Sequence, residues 1–248
     1  INSQIFQQGA LIYFADLEGK LWKLNLTDQD RMYEATQIFN AEATQANDRF
    51  AYQQVTPSID NEGTLWIYYG TGSYQQLQRM SPSIKNRLFG VKDENFPTFK
   101  AVNASTVNQM KDTTATGNVC PDNSDLGWYY DFDANEKISG KVAVYNETIF
   151  ASRYTPNRSN ICNPGKAKLS EHSYSCGNMI ADVDLGVGVP TGVTVFGGRI
   201  YMGISGEGQK TGSSPSGYSQ TDNIIVGRPS KAASGKGSVS LESWREIF

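Results

Sequence analysis

An all-β fold assembled from propeller blades is what this sequence predicts, and three observations carry that reading. The composition is rich in turn formers and weakly charged, with 24 Gly, 13 Tyr and 19% charged residues in a chain of 248, below the quarter usual for globular domains. The dominant hydrophobic period is two, in short aromatic and β-branched runs cut by Gly, Asn and Asp, as strands and turns require. A loose repeat also returns four times: a turn residue followed by an apolar, aromatic strand ending in small residues. Its members are Gly9-Ala-Leu-Ile-Tyr-Phe-Ala, Gly63-Thr-Leu-Trp-Ile-Tyr-Tyr-Gly, Asn146-Glu-Thr-Ile-Phe-Ala-Ser and Gly198-Arg-Ile-Tyr-Met-Gly, starting 54, 83 and 52 residues apart. Two of those spacings lie near the roughly 40 to 50 residues of one four-stranded blade. A β-sandwich of irregular strands produces similar alternation and stays the alternative at this level.

The first element is a hairpin. Residues 11–15 (LIYFA) and 20–26 (KLWKLNL) flank the turn Asp16-Leu-Glu-Gly19, and alternation sets Leu21, Lys23 and Asn25 on the face opposite Trp22, Leu24 and Leu26. Further strands are expected at residues 64–69, 87–91, 128–132, 141–145, 148–153, 175–183, 192–196, 199–204 and 223–226, and only 33–39 and 105–111 carry weak helical spacing. Residues 94–124 are polar and show no strand signal, which accounts for the wide repeat spacing. Residues 206–221 are built mostly of Gly, Ser, Gln, Thr and Pro and cannot bury enough apolar area to order themselves. Both stretches read as long surface loops of one propeller portion spanning 1–248.

Length and charge bound the function. The chain is long enough for one large domain, and 22 basic against 25 acidic residues give no polybasic footprint for nucleic acid. No apolar run approaches the roughly 20 residues of a transmembrane segment. The start at Ile1 lacks Met and a charged-then-apolar leader, so the expectation is a soluble fragment or processed chain.

Reactive residues are few. Cys120, Cys162 and Cys176 have no zinc spacing. If 127–132, 141–145 and 148–153 form an up-down meander, the next strand begins near 175 at the sheet end where the third finished. Cys162 and Cys176 then share that end, and a Cys162–Cys176 disulfide is predicted, with Cys120 free or paired elsewhere. Asp131, Asp133 and Asn135 alternate like the first ligands of a calcium loop, but Glu136 stands where the sharp-turn Gly belongs and Val142 where a bidentate Glu belongs. A hairpin turn is the preferred reading, so no metal ligand is assigned. The only histidine, His172, lies in a polar stretch read as an exposed loop, and no Gly-x-Ser-x-Gly elbow accompanies it. No catalytic or cofactor-binding residue is assigned, and the chain is expected not to be an enzyme.

Several passages in order resemble the C-terminal domain of the PilC/PilY family of type IV pilus proteins. Tyr13-Phe-Ala-Asp-Leu-Glu-Gly-Lys-Leu-Trp-Lys-Leu-Asn-Leu26 is similar to the family's blade hairpin. Tyr68-Tyr-Gly-Thr-Gly-Ser-Tyr74 with Asn86-Arg-Leu-Phe-Gly-Val-Lys-Asp93 resembles its next pair of strands. Gly127-Trp-Tyr-Tyr-Asp-Phe132, Cys162-Asn-Pro-Gly165 and the closing Ser243-Trp-Arg-Glu246 follow the same order. The resemblance covers roughly residues 11–248. It implies a modified seven-bladed β-propeller of which this chain supplies the later blades, about four, too few to close a ring. Family members commonly place a calcium loop just before the first hairpin, whereas residues 4–12 here hold no carboxylate, so calcium control is not expected and the cofactor expectation is none.

What the resemblance implies for function is a bacterial pilus-tip protein, extracellular or at the cell surface, acting in pilus assembly and surface adhesion through propeller loops. The expected partners are the N-terminal remainder of the same protein or a companion chain, minor pilins, and a host or abiotic surface. Two other readings stay open. One is a quinoprotein-like propeller enzyme, because Gly19-Lys-Leu-Trp also resembles that superfamily's tryptophan-docking turns; it lacks the adjacent Cys pair and a full ring of blades. The other is a purely structural extracellular interaction module.

Overall fold

Alternation dictates strands, and the strands gather into four sheets. The computed structural model describes residues 9–27, 31–114, 119–157, 162–206, 217–221 and 223–230. Among them there is no α-helix, and a single 3-10 turn spans Val107–Gln109. The first sheet runs β1 (Leu11–Ala15), β2 (Lys20–Asn25), β3 (Ala35–Asn40), all antiparallel. The second runs β4 (Thr56–Ile59), β5 (Leu65–Gly70), β6 (Arg87–Asp93) and then β9 (Gly127–Asp131). Two short strands, β7 (Ser105–Thr106) and β8 (Lys111–Asp112), add in parallel to the outer edges of the first and second sheets. The third sheet has the split strand β10 (Lys137–Ile138) and β11 (Ala143–Tyr145), then β12 (Thr148–Thr155), β13 (Lys166–Ser173) and β14 (Met179–Val187). The fourth has β15 (Val189–Pro190) and β16 (Thr194–Phe196), then β17 (Arg199–Ser205), β19 (Ile224–Gly227) and outermost β18 (Tyr218–Thr221).

These sheets are propeller blades packed face to face. Leu21, Phe39, Ile67, Tyr69 and Phe89 fill the space between the first two blades. Trp66, Tyr68, Trp128, Ile149 and Ala151 fill the second junction, and Phe150, Leu169, Ile200, Met202 and Ile204 the third. Each inner strand of a blade therefore buries alternate residues on opposite neighbours, which is why β5 and β12 are buried along both faces. Inner strands of successive blades are tied by Thr56 Oγ1 donating to Val142 O (2.7 Å) and Ser139 Oγ to Pro190 O (2.9 Å).

The four repeat members seen in the sequence are β1, β5, β12 and β17, so the repeat marks blades. Three other expectations change. Residues 33–39, weakly helical by spacing, form β3, because Ile38 and Phe39 complete the first junction and tertiary burial overrides local spacing. Residues 105–111 form β7, the 3-10 turn and the start of β8 rather than a helix. The stretch 94–124 is not a free loop over residues 99–112: it is paired to two blade edges and buries Phe99 and Met110.

Candidate functional site

Among the described residues, the features that stand out are two exposed blade faces and the charged groups buried within and between the blades. Lys23 projects from β2 into the first junction, fully buried, and donates to Asp93 Oδ2 (2.6 Å) and Thr98 O (2.8 Å). The Tyr13 hydroxyl donates to the same carboxylate oxygen at 2.6 Å. Burial, reinforced by Asp93, pushes that phenol well above its ordinary range, so it stays a donor. At the second junction Lys137 and Asp48 pair at 2.8 Å with no exposure on either side chain. Lys137 also reaches Gln76 O, and Ser73 N donates to Asp48. Burial pulls the Lys137 ammonium below its usual range while Asp48 works against it. In the third blade Arg153 bridges Glu136 and Asp182, and Lys168 joins both carboxylates. Such pairs add little net stability over an apolar contact, but breaking one is costly; Lys23–Asp93 and Lys137–Asp48 link different blades, and the Arg153 network lies within one.

Lys23 stands on the face whose polar content obscures its burial in the sequence. Alternation in 20–26 is as expected, yet Leu21, Lys23 and Asn25 face the second blade, whereas the more apolar Trp22 and Leu24 are only half-buried. Opposite them on β1 lie Phe14 and Ile12, each 42% exposed. The first blade thus presents an open apolar face. At the other end, Phe196 (76% exposed), Ile224 (54%) and the half-buried Tyr201 and Val226 lie on the outward face of the fourth blade. Both faces are of the kind that every inner junction covers with a neighbouring blade.

The structure scatters the remaining candidates. Asp131 is engaged by Arg87, whose guanidinium lies 4.0 Å over the Tyr129 ring. Asn135 has φ +70° and its side-chain oxygen accepts from Ser81 N (2.7 Å). Asp133 offers its backbone oxygen to Glu136 N. The three do not converge, and no group of metal-ligating side chains forms among the described residues. The turn is also not a hairpin: it carries the chain from β9 in the second blade to β10 in the third.

His172 is corrected from exposed loop to buried core. It sits in β13 with no exposed surface, edge-on to Tyr130 and Phe132, its Nδ1 at 2.9 Å from Gly177 O. Burial pulls its pKa from 6.5 to about 3, with Arg153 pushing the same way. The disulfide expectation is corrected as well: the bridge is Cys120–Cys176. The meander that placed Cys162 beside Cys176 fails twice, since 127–131 belongs to the second blade and the presumed loop contains β13. Eight strand residues, roughly 26 Å long, separate the two cysteines' ends of the sheet, too far for a bridge. Cys176 lies in the β13–β14 turn and joins the segment leading into β9, stapling the third blade to the second. Cys162 is exposed. Most of the 206–221 loop and the closing 243–246 passage lie outside the described residues.

The tryptophan turns have a structural role. Asp16 Oδ2 accepts from Trp22 Nε1 and Asp60 Oδ2 from Trp66 Nε1, both at 2.8 Å, while each Asp Oδ1 caps the amide of residue 20 or 64. The two turns share the pattern Asp-x-Glu-Gly-x-Leu-Trp, 44 residues apart.

The fold is similar to that of the PilY1 C-terminal domain of Pseudomonas aeruginosa, with a TM-score of 0.56 and 14% identity over 79% of this chain. This chain spans 56% of that domain's length. A likeness to BamB from Moraxella catarrhalis, 11% identical over 91% of this chain and 95% of that one, has a TM-score of 0.16 and carries no argument. No protein-family model and no curated protein matches the sequence.

Proposed function

We propose that this chain is the later-blade portion of a type IV pilus-associated propeller, a non-catalytic extracellular module that serves pilus assembly and surface adhesion. The observation that supports this most is the union of two independent likenesses: the ordered sequence motifs from Tyr13 onward and the fold shared with the PilY1 C-terminal domain. The open faces of the two end blades support the partner reading. Four blades leave Ile12, Phe14 and Phe196 to water, so the first blade's face is suited to further blades from the preceding part of the same polypeptide, and minor pilins are proposed to dock on the assembled ring. A disulfide between blades fits an oxidising compartment outside the cytoplasm.

Two variants in the parent bacterium test the reading. Phe14→Asp with Ile12→Asp places charge on the first blade's open face and is expected to abolish piliation. Deletion of residues 206–221 is expected to leave pili in place and remove attachment. Normal piliation and attachment with both variants would exclude the pilus role, and lost piliation with the loop deletion would favour a purely structural module.

A further inference from the structure

Among the described residues two lysine–aspartate pairs are buried, and their surroundings differ. At the first junction Lys23 of β2 meets Asp93, the last residue of β6, with Nζ 2.6 Å from Oδ2 and side-chain exposures of 0% and 3%. At the second, Lys137 Nζ lies 2.8 Å from Asp48 Oδ2 with neither side chain exposed. The Asp48 carboxylate is sparsely held: Ser73 N donates to Oδ2, and Oδ1 has no hydrogen-bond partner. The Asp93 carboxylate is held on both oxygens. Its Oδ1 accepts from the backbone N–H of Asn95 (3.0 Å), and its Oδ2 accepts from the Tyr13 hydroxyl (2.6 Å) as well as from Lys23.

This set of contacts is what amide formation needs. A second hydrogen bond, to Thr98 O at 2.8 Å, fixes Nζ against the carboxylate, and the Tyr13 and Phe99 rings wall it in, with centroids 5.8 and 6.0 Å away. Reacting groups held in contact reach effective concentrations of about 10⁵–10⁸ M, and a site closed to water does not hydrolyse its product. The Asn95 N–H faces the oxygen that carries charge when the carbon becomes tetrahedral. The Tyr13 hydroxyl faces the oxygen that must leave, and burial keeps that phenol protonated.

We propose that Lys23 and Asp93 condense to an intramolecular amide between Nζ and Cγ, a covalent tie between the first and second blades. An ammonium proton first passes to Oδ2, leaving a neutral amine beside a neutral acid. The amine lone pair forms the N–Cγ bond, and the electrons of the Cγ=O bond move onto Oδ1, where Asn95 N–H meets them. A second proton passes from nitrogen to Oδ2, the Cγ–Oδ2 bond breaks, and Oδ2 leaves as water while the Oδ1 carbonyl re-forms. One proton stays on the amide nitrogen, nothing is oxidised or reduced, and no co-reactant is needed. Asp48 has no N–H on Oδ1 and no O–H on Oδ2, so its pair with Lys137 stays ionic. The inference rests on the geometry of the first junction and is independent of the pilus reading.

Intact mass of the full chain, denatured and reduced, tests this on the unaltered protein. The expected mass is that of the sequence less one water. Proteolysis is expected to release the Lys23 and Asp93 segments as one branched peptide, with Lys137 and Asp48 in separate, unlinked peptides. Lys23→Arg keeps the charge but cannot form the amide, and is expected at the full sequence mass. Tyr13→Phe keeps the ring and removes the hydroxyl, so the link is expected to form about 100-fold more slowly after cell-free synthesis, read as the linked fraction over time. A native chain at full sequence mass, a lost water mapped to other residues, or a link at Lys137 would overturn the proposal. Equal rates in the native chain and Tyr13→Phe would remove the phenol from the chemistry.

Discussion

Acid should unfold this protein through its single histidine, and the effect can be sized from the site. His172 packs edge-on against Tyr130 and Phe132, with Arg153 and Asp182 acting on it electrostatically in opposite directions. Its proton affinity falls from 6.5 to about 3 on folding. The unfolded chain therefore takes up a proton at pH values where the native imidazole stays neutral, so this contribution to stability is complete above about pH 6.5. It drains away as the pH falls toward 3. At about 1.36 kcal/mol per pH unit, the loss reaches roughly 2 kcal/mol at pH 5 and about 4 kcal/mol by pH 3. The measurement is a difference, so that it isolates the histidine. Urea unfolding of the native chain and of His172→Gln at pH 7 and pH 5 should show the native chain losing about 2 kcal/mol more across that interval, even though the variant starts less stable. The isolated imidazole resonance gives a direct check. Titration near 6.5 in the folded protein, or equal pH slopes in the two chains, would refute burial as the governing effect.

Other outcomes follow from the junctions. Lys137→Met leaves the fully buried Asp48 carboxylate with only Ser73 N and a more distant Arg79 (3.9 Å), and a loss of about 3 kcal/mol is expected by chemical denaturation, much of it restored when Asp48→Leu is added. Cys120→Ala opens a bridge closing 56 residues of sequence, worth about 4 kcal/mol by chain entropy, whereas Cys162→Ser should leave the unfolding midpoint unchanged. Gly177 has φ +71°, and any Cβ there would strike the Trp128 ring. Gly177→Ala is therefore expected to lower stability by at least about 1 kcal/mol, with altered tryptophan fluorescence as the readout.

Much of the architecture was legible because it depends on local pattern. Period-two runs and Asp-x-Glu-Gly-x-Leu-Trp turns locate hairpins wherever they sit, and the Gly9, Gly63, Asn146 and Gly198 repeat falls on β1, β5, β12 and β17, one strand in each blade. What was misread shares one cause, polar residues buried by partners distant in sequence. β13, Lys-Ala-Lys-Leu-Ser-Glu-His-Ser, looks like a loop because its burial depends on Arg153, Asp182 and, for Glu171, on Tyr218 Oη (2.7 Å) and Ser230 N (3.0 Å). Missing that strand placed Cys162 beside Cys176 and left His172 in water. The stretch 94–124 misled in a related way, since β7 and β8 are two-residue strands, too short to show a period, added by parallel pairing to the edges of β3 and β9.

By itself, then, the sequence determined the class of fold, its repeat and the turns, since those follow from alternation, glycine and the reach of a hairpin, while the count of about four blades came from the family resemblance. Only the tertiary structure decided which face of each strand is covered. Alternation separates Trp22 and Leu24 from Leu21 and Lys23, but hydrophobicity points to the wrong face. A lysine can be buried when Asp93 and Thr98 meet its ammonium, while Trp22 and Leu24 stay half-buried because no other described residues cover their face of the first blade.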